Sequence, residues 1–177
     1  MMKMDQPKLL NKIRVVSNHK KAEACPDAHL QFYTNYASAV SETLRKPLFQ
    51  KFLNWGLKRE QIEKRAVKDI QVRMFPFQKE NGKSLAGRCN GEGVILIFPK
   101  RRSFLQKKMR VHKKEKVHFY LKSRARAALI HELLHLKYES NESKVRQLTK
   151  KYFSIFILHQ DVNADRADKI KSILFPV

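Results

Sequence analysis

The chain has 177 residues, which is room for one compact domain, or for a domain with an added arm, and too little for a large multidomain machine. Hydrophobic residues make up 42% of it and aromatic residues 10%, so the composition argues against a fully disordered chain. Lys and Arg number 38 against 16 Asp and Glu, a net charge of +22. Because so large a charge repels itself unless anions screen it, we expect a polyanionic neighbour.

The sequence shows no pattern typical of a membrane-spanning helix, a secretory signal or a disulfide scaffold. The longest nearly unbroken apolar stretches, 94–98 and 153–158, fall far short of the roughly 20 residues that cross a bilayer, so no membrane partner is expected. Residues 1–12 lack the apolar core of a secretory signal. Two cysteines, Cys25 and Cys89, are too few for a disulfide scaffold or a four-cysteine zinc site. We therefore expect a cytoplasmic protein.

The first 69 residues divide into two predicted parts. Residues 1–26 are rich in lysine and have weak periodicity, which predicts a basic arm without a firm structure. Residues 27–69 carry apolar side chains at three- and four-residue steps with proline and glycine between the runs, which predicts a helical N-terminal region. Its expected helices are 27–46, 47–55 and 58–69.

From residue 70 the hydrophobic period shortens to two, which indicates strands. The strongest predicted strand is 94–98, ended by Pro99, and helices are expected to dominate again towards the C-terminus. The further predicted elements are strands 70–75 and 116–121 and helices 123–138, 142–156 and 164–174. The fold class is therefore α+β, with a small sheet beside helices in a core formed by 70–177.

The sharpest motif is His131-Glu132-Leu133-Leu134-His135. Residues four apart lie one turn apart on the same helix face, so the two imidazoles can bind one Zn²⁺ while Glu132 addresses a water held by the metal. Good helix and core formers precede the motif, which indicates a helix with a buried far side. The alternative interpretation is that the two histidines are hydrogen-bonded to neighbouring groups and bind no metal.

A catalytic zinc normally takes three protein ligands, and the third is open in this sequence. Glu139 lies about 12 Å along a continuous helix from His131, too far to share its metal. Ser140 and Asn141 favour a turn that would swing Glu142 back to the metal. We therefore expect Glu142 as the third ligand, with Glu139 and His159 as alternates.

Three segments resemble the SprT-like and small gluzincin-type zincin metallopeptidases: Ala86-Gly87-Arg88-Cys89, the strand 94–98, and residues 128–136 around the motif. The resemblance covers about residues 70–156. It implies a zincin-like core in which a small sheet packs on the active-site helix, with an edge strand for extended substrate, and 94–98 is the nearest candidate for that edge. It also implies His131 and His135 as ligands and Glu132 as general base.

Two departures from the family limit what the resemblance implies. No histidine follows the motif until His159, which favours a glutamate as third ligand, and the cysteine cluster of a zinc ribbon is absent, so a DNA-repair role is not carried over. The expected function is a zinc-dependent metallopeptidase that hydrolyses a protein or peptide substrate through a metal-activated water. Tyr138, Tyr152 and His159 are the candidate donors to the oxyanion.

Residues 100–126 carry 12 basic side chains and one acid, Glu115. Such a run predicts non-specific, salt-dependent DNA or RNA binding, or else a solvated connection in a lysine-rich protein. The alternative function is therefore a basic nucleic-acid-binding protein with a non-catalytic zincin-like metal site.

Overall fold

The computed structural model describes residues 8–77, 79 and 81–160. These residues form a four-stranded sheet and six α-helices, which confirms the α+β class. The strands are β1 (Ile13–Val16), β2 (Asp69–Arg73), β3 (Gly87–Cys89) and β4 (Val94–Ile97). The helices are α1 (His19–Glu23), α2 (Asp27–Arg45), α3 (Pro47–Arg59), α4 (Arg102–Val111), α5 (Lys114–Tyr138) and α6 (Glu142–Leu158).

The sheet has the strand order β1-β2-β4-β3 and mixed direction. The pairs β1–β2 and β2–β4 are parallel, with Ile70 opposite both Ile13 and Ile95, and β3 runs antiparallel to β4. Burial alternates along β2 and β4, as the two-residue period of a strand requires. Helices α2 and α5 pack on the buried face, and β3 lies beside α5.

The N-terminal arm is not separate from the fold. Residues 13–16 of the predicted arm form the edge strand β1, and Leu9 and Ile13 are each only 1% exposed. The Arg45 side chain of α2 donates a hydrogen bond to the Ile13 carbonyl. The prediction of an arm therefore fails for this segment, because its short apolar pairs find partners far away in the sequence.

Two other predicted elements are wrong. The expected strand 116–121 is the N-terminal part of α5. The expected helix 58–69 does not form: α3 continues through Gly56 to Arg59, Gln61 adopts a positive φ of 56°, and a 3₁₀ turn follows at Lys64–Ala66. The predicted helix 164–174 lies outside the described residues.

Helix α5 is the central element of the core. Its residues from Ser123 to Ile130 are all buried, and it contacts α2, α4, α6, β3 and β4. A helix covered on several sides has no single apolar stripe, so its amphipathic pattern is weak. This packing holds the C-terminal half of α5, which carries the motif, between the strand β3 and the helix α6.

Within the described part of the chain, no helix is both long enough and apolar enough to cross a membrane.

Candidate metal centre

A tight turn between α5 and α6 creates the centre. Helix α5 ends at Tyr138, and Glu139 takes φ 45° and ψ −115°, an unusual conformation for a residue other than glycine. The Asn141 amide donates to the Tyr138 carbonyl at 2.9 Å, and the Asn141 side chain caps α6 by accepting from the Lys144 amide at 3.1 Å. The chain therefore reverses sharply, and Glu142 in the first turn of α6 reaches back to α5.

Three metal-ligating side chains converge at this turn: His131, His135 and Glu142. The two Nε2 atoms are 3.1 Å apart, and the Glu142 carboxylate oxygens lie 3.6 Å from Nε2 of His131 and 3.3 Å from Nε2 of His135. Ligand atoms placed tetrahedrally at about 2.0–2.1 Å from Zn²⁺ lie about 3.4 Å from one another. The observed separations are therefore close to those around a single small cation, with each imidazole nearest to a different oxygen of Glu142.

Hydrogen bonds on the far side of each imidazole fix where its proton lies. The Thr149 hydroxyl donates to the Val145 carbonyl at 2.7 Å, so it accepts from Nδ1 of His131, 3.2 Å away. The Glu139 carbonyl can only accept, so Nδ1 of His135 donates to it at 2.5 Å. Both Nε2 atoms thus present lone pairs, and two lone pairs at 3.1 Å repel each other unless a cation lies between them.

The protonation states of His131 and Glu142 also suit a metal. Burial lowers the pKa of His131, which keeps its imidazole neutral. Burial alone would raise the pKa of Glu142, but the hydrogen bond from Arg146 and the nearby histidines lower it overall. The Arg146 Nε atom donates to Oε1 of Glu142 at 2.7 Å. A neutral imidazole and an ionised carboxylate are the forms that bind metal ions.

Glu132 lies against β3 and lines the same open cavity as His131, His135 and Glu142. Its side chain is 6% exposed and accepts a hydrogen bond from the Cys89 amide. A Cβ atom at Gly87 would lie 2.8 Å from both Cγ and Oε1 of Glu132, so the close approach of β3 to this carboxylate requires glycine. Burial raises the pKa of Glu132 to about 7, which suits a group that exchanges a proton near neutral pH.

The alternate ligands do not join the cluster. His159 caps the C-terminal end of α6, about 25 Å along the helix from Glu142. The Glu139 carboxylate is also outside the cluster, and its backbone carbonyl instead orients His135. The structure therefore brings together the three side chains expected from the sequence and leaves both alternates aside.

The tyrosines expected as oxyanion donors are engaged elsewhere. The Tyr138 hydroxyl donates to Oε2 of Glu60 at 2.6 Å, and the Tyr152 hydroxyl donates to the other oxygen of the same carboxylate. His159, the third expected donor, is at the distant end of α6. The two tyrosines therefore connect α5 and α6 to Glu60 at the end of α3, and His159 ends α6. The prediction that one of these three residues contacts the oxyanion finds no support.

The edge strand also differs from the expectation. Strand β4, within the predicted 94–98, lies between β2 and β3, and β3 is the edge beside the centre. The Ala86 carbonyl and the Asn90 amide bond towards β4. Because bonding alternates along a strand, the backbone groups of Gly87 and Cys89 face away from β4. One of them, the Cys89 amide, is the donor to Glu132.

The basic run 100–126 is not one continuous surface. The Arg124 guanidinium is buried and donates to the carbonyls of Phe98 and Leu85, at 2.6 and 2.9 Å. Arg126 is also buried, over the rings of Phe49 and Phe156. Most of the remaining basic residues are exposed, on α4 and the first half of α5. The predicted phosphate surface is therefore confined to those helices.

Sequence reasoning missed the residues that support the centre. Thr149 lies seven residues after Glu142, two turns along the same face of α6, and this spacing is the signal that could have identified it. Gly87 was noticed only as part of a resemblance, because its role depends on the distance between β3 and α5. The contribution of Glu139 comes from its backbone carbonyl, which every residue type has, so the sequence carries no signal for it.

Comparisons with known proteins give no independent assignment. No protein-family model matches the chain, and no curated protein or solved structure matches it either. The functional interpretation therefore depends on the geometry of the site and on the motif itself.

Proposed function

We propose that this protein is a zinc-dependent metallopeptidase with a zincin-like core, in which His131, His135 and Glu142 hold the metal and Glu132 is the general base. One observation carries the proposal: two Nε2 lone pairs and a carboxylate converge within 4.8 Å, each imidazole having its Nδ1 proton directed outwards. Two histidines and one glutamate are a ligand set of catalytic zinc sites, which leave a fourth position for water.

The proposed reaction needs only water as co-substrate. Bound Zn²⁺ would supply Lewis acidity, lowering the pKa of a water towards about 7 and polarising the scissile carbonyl. Glu132 accepts a proton from the attacking water while the oxygen of that water bonds to the carbonyl carbon. It then delivers that proton to the amide nitrogen as the C–N bond breaks, giving a carboxylate and an amine. Gly87 and the Cys89 amide hold Glu132 in position for both transfers.

The outer edge of β3 supports a peptide as the substrate. The Cys89 amide is occupied by Glu132, but the Gly87 backbone groups and the Cys89 carbonyl also face outward, and an extended chain can add to such an edge by main-chain hydrogen bonds. These bonds select for backbone and not for side chains, so β3 by itself accepts many sequences.

The test combines metal analysis with hydrolysis. Protein purified without chelators should contain one zinc per chain, the His135→Ala variant should lose it, and Glu132→Gln should retain zinc and fold but not cleave an unfolded protein. Equal and low zinc in the wild type and His135→Ala would refute the metal site. Cleavage by Glu132→Gln at the wild-type rate would refute the role of Glu132 as general base but not the metal site.

A second candidate function is nucleic-acid binding with a metal site that does not catalyse. It is favoured by the exposed basic side chains of α4 and the first half of α5, among them Lys107, Lys108 and Arg110. The two candidates differ in one respect: turnover of a peptide bond that depends on Glu132 is expected only of the metallopeptidase.

A further inference from the structure

An open groove runs along β3 and past the centre, and basic side chains line both of its walls. Lys79, Lys83 and Arg88 lie on the wall formed by β3 and the segment before it, and Arg146 and Lys150 lie on the opposite wall, on α6. The acidic side chains among its described lining residues are Glu132, Glu139 and Glu142. Two of these belong to the proposed centre, so the remainder of the groove is strongly positive.

The α6 wall owes its charge to helical spacing. Glu142, Arg146 and Lys150 follow at four-residue steps, so they form one stripe along α6, with Lys150 about 12 Å from Glu142. Arg146 is paired with Glu142, whereas Lys150 forms no ion pair with a described carboxylate. Lys83 on the other wall is likewise exposed and unpaired with the carboxylates of the described residues. Both lysines are therefore available to a bound anion.

Two further basic residues, Lys100 and Arg124, line the groove. Lys100 is half-buried beside Arg124, and burial together with the Arg124 charge lowers the pKa of Lys100. Two neighbouring cations partly removed from water are stabilised by an anion between or beside them. The positive lining therefore includes partly buried charges as well as exposed lysines.

The shape of the groove favours a peptide over a nucleic acid. One wall is a strand edge with outward backbone groups, which pairs with an extended polypeptide. Proteins that bind single-stranded nucleic acid without sequence preference use exposed aromatic rings for base stacking. Among the described lining residues the aromatic ring other than the imidazoles of His131 and His135 is that of Tyr120, which is only partly exposed and lies beside the Phe104 ring.

We infer that the groove binds acidic segments of polypeptide, extended along β3, with carboxylates that contact Lys83 on one wall and Lys150 on the other. Cleavage of such segments rests on the proposed function, whereas their binding does not. Acidic flanking residues would give the selectivity that backbone pairing with β3 lacks.

Binding is tested first, with purified Glu132→Gln protein so that the probe stays intact. The probes are a fluorescent peptide rich in Asp and Glu, the same peptide with Asn and Gln, and an oligothymidylate of equal charge, each followed by anisotropy. At low salt the acidic peptide should bind about tenfold more tightly than the neutral one, and added salt should shrink the difference. Equal binding of the two peptides would overturn the inference.

Matched variants then locate the binding surface. Adding Lys83→Glu and Lys150→Glu should remove the preference for the acidic peptide. Adding Lys122→Glu and Lys151→Glu, the same charge change at exposed positions outside the groove, should weaken binding by no more than about twofold. If both pairs of substitutions reduced the affinity for the acidic peptide equally, the inference would be overturned. It would also be overturned if the oligonucleotide bound more tightly than the acidic peptide and its binding depended on Lys83 and Lys150.

Hydrolysis by the wild type separates this inference from the proposed function. Cleavage of the acidic peptide, with a higher kcat/KM than for its neutral counterpart, supports both. Selective binding of the acidic peptide without any cleavage would refute the peptidase and leave the acidic-peptide groove standing.

Discussion

The two halves of α5 belong to one continuous helix but meet different surroundings. Between Lys114 and Lys122 only Val117 is buried, and the lysines extend into solvent. From Ser123 to Leu134 every residue except His131 is buried, and the polar groups of the motif are held by α6, β3 and the turn at Glu139. The C-terminal half of α5 is therefore held by fixed contacts, whereas the N-terminal half carries exposed positive charge, whose effects salt screens.

The largest expected effect comes from removing Glu142, the proposed ligand that α6 brings to the C-terminal half of α5. Glu142→Ala should weaken zinc affinity by more than about 100-fold, since loss of a group that only supports a ligand already costs about 10–100-fold. Glu139→Ala is the control, because it keeps the backbone carbonyl that orients His135. Competition with a chelator measures both affinities. A greater loss in Glu139→Ala would assign the third ligand to Glu139.

Gly87→Ala tests the contact between β3 and the motif. The added methyl group would overlap Glu132, and displacement of a reacting group by about 1 Å lowers the rate of turnover by about 100-fold. Zinc content should not change, because the atoms nearest to the added methyl group belong to Glu132 and not to a histidine. Gly91→Ala is the matched control, since a Cβ there meets nothing within 4 Å. Normal turnover by Gly87→Ala would show that Glu132 does not need its present position.

Thr149→Val tests the hydroxyl behind His131. The substitution keeps the shape and removes the acceptor for Nδ1, so zinc affinity should fall by about tenfold. Thr149→Ser keeps the hydroxyl and should retain most of the affinity. If valine and serine weaken zinc binding equally, packing and not the hydrogen bond is what Thr149 contributes.

The smallest effect per residue is expected at the basic surface beside the N-terminal half. Replacing Lys107, Lys108 and Arg110 with alanine should reduce the slope of log affinity for duplex DNA against log salt by up to about 2.7, and leave zinc content unchanged. Lys51, Lys58 and Lys68, exposed elsewhere, provide the control triple variant. An unchanged slope, or no DNA binding at low salt, would show that these three side chains do not bind phosphates, and their charge would then act only on solubility or on long-range attraction of anions.

Local spacing predicted that His131, His135 and Glu142 lie close together. The four-residue step between His131 and His135 fixes both on one helix face, and Ser140 and Asn141 favoured a break that brings Glu142 back. The structure has this turn and this cluster. Such features depend on residues close in sequence, whose geometry helix rise and turn propensity largely determine.

The segment 116–121 shows where local spacing fails. Its apolar residues alternate as in a strand, but Val117, Tyr120 and Leu121 also follow the three- and four-residue steps of a helix. Packing of α4 against α5, including the Phe104 and Tyr120 rings 6.5 Å apart, accompanies the helical outcome. A short apolar run that fits both periods is decided by its tertiary partners.

By itself, then, the sequence determined the α+β class, the motif helix and the candidate ligands, because each follows from composition or from spacing within a few residues. Only the tertiary structure decided that 13–16 enters the sheet, that β3 is the edge beside Glu132, and that Arg124 and Arg126 turn inward. These outcomes depend on contacts between residues far apart in the chain, such as Ile13 with Ile70 and Gly87 with Glu132, which no local pattern encodes.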